Sequence, residues 1–414
     1  GLDHAEVLEL AHVLEASDEE LRSRLEASLE TDRASVQRRL AAADATQVTA
    51  DEAATANHVA NVLFNIMRGG TFENDYRAPR RDVASYLRNQ DRALAERYRS
   101  WLERLPEWVS IDELLASARE LGDPQLTRLL RGYLPLTFSR RHGDPSRPWN
   151  WYTIRVHDGD ELVYGYEGNW RDIFQNWEDL GVSYPGYLSH FITVFLIAST
   201  ADGYNPYRIT RRGIDWEVED PDDPWSHIGY WGDHQVIYLL RLLEAYERHE
   251  PGALQAGLGE RIYAYADVPY RIGGFDALVA DPKHTISFDH ERNEALLSSA
   301  QELGADGKLV RDADGEVRLV TLAEKLLVPL LVKLTNLVPG SGIWLNTQRP
   351  EWNDANNALV GKGLSVVTVA YLYRFVAYWS AQLAASDADR FAVNTAVADL
   401  LADIQTIFAA QHSK

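Results

Sequence analysis

From residue 170 onward, the chain alternates between amphipathic helical segments and long loops that are rich in polar and aromatic residues. Apolar residues at helical spacing predict helices near 172–180, 185–199, 234–248, 291–303, 322–337, 358–383 and 388–411. The connecting loops with most acids and aromatics are 200–231, 267–288 and 339–357. Helices joined by long loops are typical of a helical toroid, in which alternate helices form an inner and an outer ring. No repeat of fixed period is present, which disfavours an even solenoid.

The region before residue 140 also has helical character. Capping boxes at Thr49-x-x-Glu52 and Ser110-x-x-Glu113 precede apolar-periodic runs, and Gly69-Gly70 is expected to end a helix. Between residues 140 and 150 the sequence changes to Arg, Gly, Pro and Trp, as in a connection between regions. We therefore predict an N-terminal helical region, 1–140, and a toroid-like region, 141–414.

Two β-hairpins are predicted within the second region. The runs 152–156 and 161–164 flank an Asp-Gly turn at 157–160, and a second hairpin across 308–320 turns at 312–315. The expected fold class is therefore mainly α. We expect a helical toroid, complete or incomplete, with long aromatic and acidic loops and one or two small β-hairpins.

The charge and the absence of cysteine exclude several classes of function. A formal net charge of −21 repels phosphate polymers, so we expect no nucleic-acid partner. The most apolar runs, 326–338 and 364–376, contain Lys333 and Arg374, so neither is expected to span a membrane. A soluble, cytoplasmic protein is the simplest expectation, and its oligomeric state is left open. With no cysteine, thiolate catalysis and thiolate metal sites are excluded.

No cofactor motif is found either. The sequence has no HExxH, Walker P-loop, dinucleotide fingerprint or GxSxG elbow, so we expect neither a metal nor an organic cofactor. Tryptophan is more informative, because nine of the 12 fall between residues 149 and 352, mostly beside turn residues. Tryptophans in that context are more often found lining a surface or a cleft.

The segment Glu351-Trp352-Asn353-Asp354 places a carboxylate beside a tryptophan and between amides. An aromatic face can stack on a sugar ring, amides can bind its hydroxyls, and a partly desolvated carboxyl group gains the raised pKa of a proton donor. The alternative is an aromatic loop in which Asp354 caps the next helix.

A second cluster spans residues 167–177. If a helix begins near Arg171, Asp172 and Gln175 share a face of its first turn and could hold vicinal hydroxyls. The alternative is an acidic first turn that complements the helix dipole.

Three further loops carry candidate acids. Asp202 lies in 200–208, and Asp215 and Glu217 flank Trp216. In the third loop, 229–235, Asp233 could cap a helix or bind a hydroxyl.

In these stretches the sequence resembles the catalytic (α/α)6 domain of the cellobiose and chitobiose phosphorylase family. That family is related more distantly to inverting glucoamylase-like and trehalase-like hydrolases. The resemblance implies that Arg171 and Asp172 bind the sugar in the −1 subsite and that Asp233 lies nearby. It also implies that Asp354 is the general acid and that Trp352 forms a wall of the −1 subsite.

The chain departs from that family in two ways. The family carries an N-terminal β-sandwich, whereas residues 1–140 are predicted to be helical. The family also continues well beyond this segment, and its later residues bind phosphate, so no phosphate site can be carried over to this chain. Either the chain is a fragment with an incomplete toroid, or the N-terminal helices close the barrel.

The sequence therefore predicts an inverting carbohydrate-active enzyme, a glycoside hydrolase or a glycoside phosphorylase, acting on an oligosaccharide or glycoside. Asp354 is the predicted acid. The predicted sugar-binding residues are Arg171, Asp172, Gln175, Trp231, Asp233 and Trp352. A hydrolase also needs a base, with Glu167, Asp202, Asp215 and Glu217 as candidates, whereas a phosphorylase uses inorganic phosphate as co-substrate. The alternatives are a non-catalytic carbohydrate-binding or scaffolding domain of a larger protein, and a purely structural helical domain.

Overall fold

A computed structural model of the chain describes residues 4–43, 49–137, 157–158, 161–218, 222, 230, 232, 235–346 and 359–412. Helices account for most of these residues, and the few strands are two or three residues long. The predicted mainly-α fold class is confirmed. None of the described helices is long and apolar enough to cross a membrane.

The described α-helices vary from five to 25 residues in length. In chain order they are α1 His4–Glu15, α2 Asp18–Ala42, α3 Glu52–Gly69, α4 Arg80–Gln90, α5 Arg92–Arg97, α6 Arg99–Arg104, α7 Ile111–Glu120, α8 Pro124–Arg131, α9 Trp170–Ser183, α10 Leu188–Ile197, α11 Gln235–His249, α12 Ala253–Gly257, α13 Phe275–Ala280, α14 His290–Leu303, α15 Leu322–Leu334, α16 Val366–Ala385 and α17 Thr395–His412. Two 3₁₀ turns lie at Pro185–Tyr187 and Ala305–Lys308.

The described strands form small antiparallel sheets. They are β1 Arg77–Pro79, β2 Trp108–Ser110, β3 His157–Asp158, β4 Glu161–Leu162, β5 Glu167–Asn169, β6 Arg208–Thr210, β7 Gly213–Asp215, β8 Tyr270–Ile272, β9 Ile286–Phe288, β10 Leu337–Val338, β11 Gly342–Trp344 and β12 Leu364–Ser365. The pairs are β1–β2, β3–β4 and β8–β9, and the three-stranded sheets have the orders β5–β6–β7 and β10–β11–β12.

The chain divides into two compact units, Gly1–Phe64 and Asn65–Lys414. The first contains α1, α2 and most of α3. Ser17 caps α2 by accepting a hydrogen bond from the Glu20 amide at 3.3 Å. Asp51, not the predicted Thr49, caps α3, because its carboxylate directly precedes the helix and accepts from the amides of Ala53 and Ala54 at 3.0 and 3.1 Å.

The core of the second unit is built around α11, which packs against α9, α10, α15 and α16. Its buried residues recur at helical spacing: Val236, Leu239, Leu240 and Leu243 are completely buried. Because α11 has neighbours on several sides, more than a single stripe of its surface is apolar. In the second unit, therefore, helices pack against helices, and the small sheets lie between helices.

An aromatic cluster joins the start of the second unit to α9 and α10. The ring of Phe72 stacks on that of Tyr187 with centroids 3.8 Å apart, and Trp177 stacks on Phe191 at 4.9 Å. Phe174 meets Trp177 edge to face at 5.4 Å. These rings are fully buried, so the segment that follows α3 is part of this core.

Most predicted helices of the second region are present, with changed ends. The segment predicted at 185–199 is split into a 3₁₀ turn and α10. The one predicted from residue 358 begins only at Val366, because Ser365 first pairs with Ile343 in a sheet and then caps α16. The second hairpin is present, with Arg311 paired with Val317. The first is shifted: His157 and Asp158, predicted to lie in the turn, form a strand in which His157 pairs with Leu162, and the predicted strand 152–156 lies outside the described residues.

Two parts of the fold prediction stay predictions. One is the arrangement of the helices as a toroid. The other is the domain boundary near residue 140, which lies outside the described residues.

Candidate functional site

The sheet β5–β6–β7 provides the framework of the candidate site. Asn169 pairs with Arg208, and Arg208 pairs with Asp215 on the next strand. Strands β6 and β7 are joined by a two-residue turn, and Gly213, which follows it, has a φ of +107°. Because side chains alternate along a strand, buried Ile209 and Ile214 share one face, and Glu167, Arg208 and Asp215 share the other.

Arg208 joins the two acids of this face. Its Nη1 donates to Glu167 Oε1 at 2.9 Å, and its Nη2 donates to Asp215. Lys308 adds a second cation, with its Nζ 3.6 Å from Asp215 Oδ1. Burial opposes the charge of Arg208, but its hydrogen bond to Asp215 and the charges of both acids together raise its pKa. The guanidinium is therefore a permanent cation between two carboxylates.

A cavity of about 720 Å³ opens over this face. Sites for small molecules are commonly about 300–1,000 Å³, so the volume suits a ligand of one or two sugar rings. One wall is a face of helix α4. The other is the β5–β6–β7 sheet together with the residues just before β5. The lining comprises Ser85, Tyr86, Asn89, Val163, Tyr164, Gly165, Tyr166, Glu167, Arg208, Thr210, Arg211, Arg212, Ile214, Asp215 and Lys308.

The two walls are tied together by Arg211, in the turn between β6 and β7. Its Nη2 donates to Asp82 Oδ2 on α4 at 2.5 Å, and Tyr133 donates its hydroxyl to the same oxygen at 2.5 Å. Gln90, at the end of α4, donates from Nε2 to the Arg211 carbonyl at 2.8 Å. Burial, with the nearby charge of Asp82, raises the pKa of Tyr133, so its hydroxyl is a donor throughout the physiological range.

Chemically, the cavity offers carboxylates, cations and an aromatic wall. Carboxylate oxygens accept hydrogen bonds from sugar hydroxyls, and guanidinium and ammonium groups donate to them. Tyr86 and Tyr166 supply ring surface at the lining. Among the described residues, no group of three or more His, Asp or Glu side chains could hold a metal ion.

The other two candidate bases do not line this cavity. Asp202 is exposed, and its Oδ2 accepts a hydrogen bond from the Tyr230 hydroxyl at 3.0 Å. The Glu217 backbone is held by Tyr270, whose hydroxyl accepts from the Glu217 amide at 2.9 Å and donates to its carbonyl at 2.8 Å. The structure therefore brings together Glu167 and Asp215 and places Asp202 and Glu217 elsewhere.

The predicted sugar-binding residues are only partly described. Gln175 is exposed on the first half of α9. Arg171 and Asp172 belong to the same helix, directly after the end of β5, but their side chains are not described. Trp231, Asp233, Trp352 and the predicted acid Asp354 lie outside the described residues. Their roles stay predictions.

The cleft-lining interpretation of the tryptophans is wrong for two of them. Trp177 is completely buried, and Trp216 is 8% exposed and donates from Nε1 to Asn293 at 2.8 Å. Trp344, which is half-buried, donates to the Gly361 carbonyl at 3.1 Å. A turn residue beside a tryptophan did not predict a ring that lines a cleft, because the turns themselves pack against the core.

Sequence reasoning missed Arg208, Arg211 and the α4 wall. The sequence does carry a signal for Arg208 and Arg211. In residues 208–215, Ile-Thr precedes Arg-Arg-Gly and Ile follows it, a pattern typical of a tight hairpin. Had that hairpin been predicted, the alternation of its side chains would have placed Arg208 opposite Asp215. The contribution of α4 depends on contacts distant in sequence, which no local pattern shows.

Comparison with known families gives an independent observation about one wall of this cavity. Residues 72–135 match the family model of glycoside hydrolase family 149 insertion domain 1. The matched stretch contains α4 to α8, including Ser85, Tyr86 and Asn89 of the cavity. It links the chain to carbohydrate-active enzymes, but it does not specify the cellobiose and chitobiose phosphorylase family. No curated protein matches the chain.

Proposed function

We propose that this chain is a carbohydrate-active enzyme that cleaves or transfers a glycosidic bond with inversion. The observation that carries the proposal is the cavity of about 720 Å³, in which Glu167 and Asp215 face a wall contributed by the matched segment 72–135. Inverting hydrolysis uses two carboxyl groups on opposite sides of the scissile bond, and this sugar-sized cavity supplies two candidates for the one that faces the acid. The motif order that ends at Asp354 supports the same class of reaction.

In the proposed reaction, Asp354 transfers its proton to the glycosidic oxygen as the bond from that oxygen to the anomeric carbon breaks. The sugar is held by Arg171, Asp172, Gln175, Trp231, Asp233 and Trp352. For hydrolysis, a second carboxylate takes a proton from the attacking water and lies about 6.5 to 9.5 Å from the acid. Glu167 and Asp215 are favoured over Asp202 and Glu217 for that role, because both line the cavity.

For phosphorolysis, an oxygen of inorganic phosphate attacks the anomeric carbon in place of water, and no base is needed. The two reactions are separated by product analysis with and without phosphate on a panel of oligosaccharides. Cleavage that requires phosphate and yields a sugar 1-phosphate identifies a phosphorylase. Cleavage in phosphate-free buffer identifies a hydrolase.

The assignment of Asp354 is tested by Asp354→Asn, which keeps the shape of the side chain but removes the transferable proton. We expect cleavage to fall by at least about a hundredfold, within the range for a lost general acid, while sugar binding is retained. Unchanged turnover in the variant would exclude Asp354 as the acid.

A non-catalytic carbohydrate-binding domain is the second candidate. The observation that favours it is that Arg208 donates to both acids of the cavity, which occupies lone pairs that a base needs for a proton. Calorimetry with the same sugars distinguishes the two candidates. Binding without any bond cleavage, with or without phosphate, would favour this alternative.

A further inference from the structure

Helix α4 places two uncharged polar side chains, Ser85 and Asn89, at the wall of the 720 Å³ cavity. They are four residues apart, so they lie on the same face of the helix, one turn above the other. Both are exposed. Within the described parts of the chain, neither side chain has a hydrogen-bond partner, so the hydroxyl and the amide are free to bind a ligand.

The helix that carries this pair is held firmly in place by its other contacts. Val83 and Leu87 are completely buried, and Asp82 forms the ion pair with Arg211. At the C-terminal end of α4, Gly304 approaches the carbonyl groups of residues 89 and 90 so closely that an added Cβ would lie 2.5 Å from the Gln90 oxygen. A polar group on such a rigid element holds its position, which is what discrimination between ligands requires.

The two walls of the cavity differ in their chemistry. The sheet wall carries charges, with Arg208 and Lys308 beside Glu167 and Asp215. The α4 wall carries a hydroxyl and a carboxamide, each of which can donate and accept a hydrogen bond. Sugar hydroxyls also do both. A site that pairs a given hydroxyl rejects an isomer whose hydroxyl points elsewhere, because that isomer covers a polar group of the site and leaves it unpaired.

We propose that Ser85 and Asn89 determine substrate specificity by binding hydroxyl groups of the sugar that occupies this cavity. This inference rests on the proposed carbohydrate-active function. It also gives the segment matched by the insertion-domain family model a direct part in substrate selection.

The test uses the full chain with Ser85→Ala, Asn89→Ala and the double variant. Arg88→Ala is the matched control, because Arg88 is exposed on the same helix but does not line the cavity. Dissociation constants are measured by calorimetry for a panel of neutral disaccharides that differ in linkage and in hydroxyl configuration.

For the sugars that the wild type binds, we expect each single variant to weaken binding by about three- to tenfold, the loss of one hydrogen bond. The loss should be larger for some isomers than for others, so the order of preference changes. Ser85→Thr keeps the hydroxyl and should retain most of the binding. Arg88→Ala should stay within about twofold of the wild type.

The outcomes separate this inference from the function on which it rests. If the wild type binds several sugars and the Ser85 and Asn89 variants behave like Arg88→Ala, the specificity role is wrong and the proposed function stands. Equal losses for every sugar, together with a lower melting temperature, would identify a structural role and also overturn the inference. If the wild type binds no sugar, both proposals fail.

Discussion

The guanidinium of Arg211 donates to the Asp82 carboxylate at 2.5 Å, and this ion pair joins the turn between β6 and β7 to helix α4. Both side chains are largely buried, at 15% and 10% exposed. The contact therefore holds the two walls of the candidate site together. Three aromatic rings surround the guanidinium, those of Tyr86, Tyr133 and Tyr164, with centroids 5.7 to 5.9 Å away.

Asp82→Asn is expected to lower the free energy of unfolding by about 3 kcal/mol, because it leaves the buried charge of Arg211 without a counter-charge. Urea unfolding at pH 7 measures this. Asp314→Asn, in an exposed turn, is the matched control and should change stability by less than about 0.5 kcal/mol. Equal effects of the two substitutions would show that the Asp82–Arg211 pair does not stabilise the fold.

Arg128 and Asp306 form a second ion pair, which is completely enclosed, with side chains 1% and 3% exposed. Removing the cation in Arg128→Met should cost about 3–5 kcal/mol at pH 7, since a buried carboxylate is left unpaired. The double variant Arg128→Met with Asp306→Leu should recover most of that loss, because no unpaired charge remains. A double variant no more stable than the single one would contradict this explanation.

The loss of unfolding free energy caused by Arg128→Met should also depend on pH. Burial raises the pKa of Asp306, while Arg128 acts in the opposite direction, so loss of Arg128 raises that pKa further. A carboxyl group with a raised folded-state pKa binds its proton more tightly when folded, and its stabilisation is present at low pH and lost as pH rises. The difference in unfolding free energy between variant and wild type should therefore be smaller at pH 5 than at pH 8.

His190 should make the wild type less stable in mild acid. Burial lowers the pKa of His190 to about 3, and its Nδ1 lies 2.9 Å from the Tyr133 carbonyl. Below pH 6.5 the unfolded chain binds a proton at this residue that the folded chain does not, so stability is lost as pH falls from about 6.5 toward 3. For one histidine the slope is about 1.4 kcal/mol per pH unit.

The matched variant is His190→Asn, whose side-chain amide can still donate to the Tyr133 carbonyl but does not titrate. We expect it to be less stable than the wild type at pH 7, and the gap to narrow by about 2 kcal/mol at pH 5. Urea unfolding at the two pH values gives the comparison. A gap that stays constant would mean that His190 is protonated equally in both states.

Gly304 and Gly315 both have positive φ angles, of +109° and +80°, but only Gly304 is enclosed. A Cβ at Gly304 would lie 2.5 Å from the Gln90 carbonyl oxygen, whereas one at Gly315 would meet nothing within 4 Å. Gly315→Ala should therefore cost about 1 kcal/mol from backbone strain alone. Gly304→Ala should cost at least about 2 kcal/mol more, since the end of α4 must move. Similar losses in the two variants would contradict the close packing at Gly304.

The helices could be predicted because their signals are local. Ser110 caps α7 by accepting from the Glu113 amide at 3.3 Å, as the capping box at these residues predicts. The turn at 312–315 is also local: the Gly315 amide donates to the Asp312 carbonyl at 3.1 Å. Each of these features depends on residues no more than four apart.

The candidate site was harder to predict, because its parts come from distant segments. Glu167 and Asp215 could be chosen as candidate acids from their neighbours, but their joint contact with Arg208 depends on the pairing of three strands. The same holds for Trp216, whose hydrogen bond to Asn293 crosses 77 residues. Where tertiary packing determines a contact, composition and motif spacing reduce the number of candidate residues but do not identify which of them makes the contact.

The separation of β5 from β6 also affects how the molecule folds. Arg208 meets Glu167 across 41 residues, and α9 and α10 lie between them. Closing that loop costs chain entropy before any contact is formed, whereas the intervening helices need only local contacts. We therefore expect the sheet to assemble after those helices, so that substitutions at Arg208 accelerate unfolding and leave the folding rate nearly unchanged.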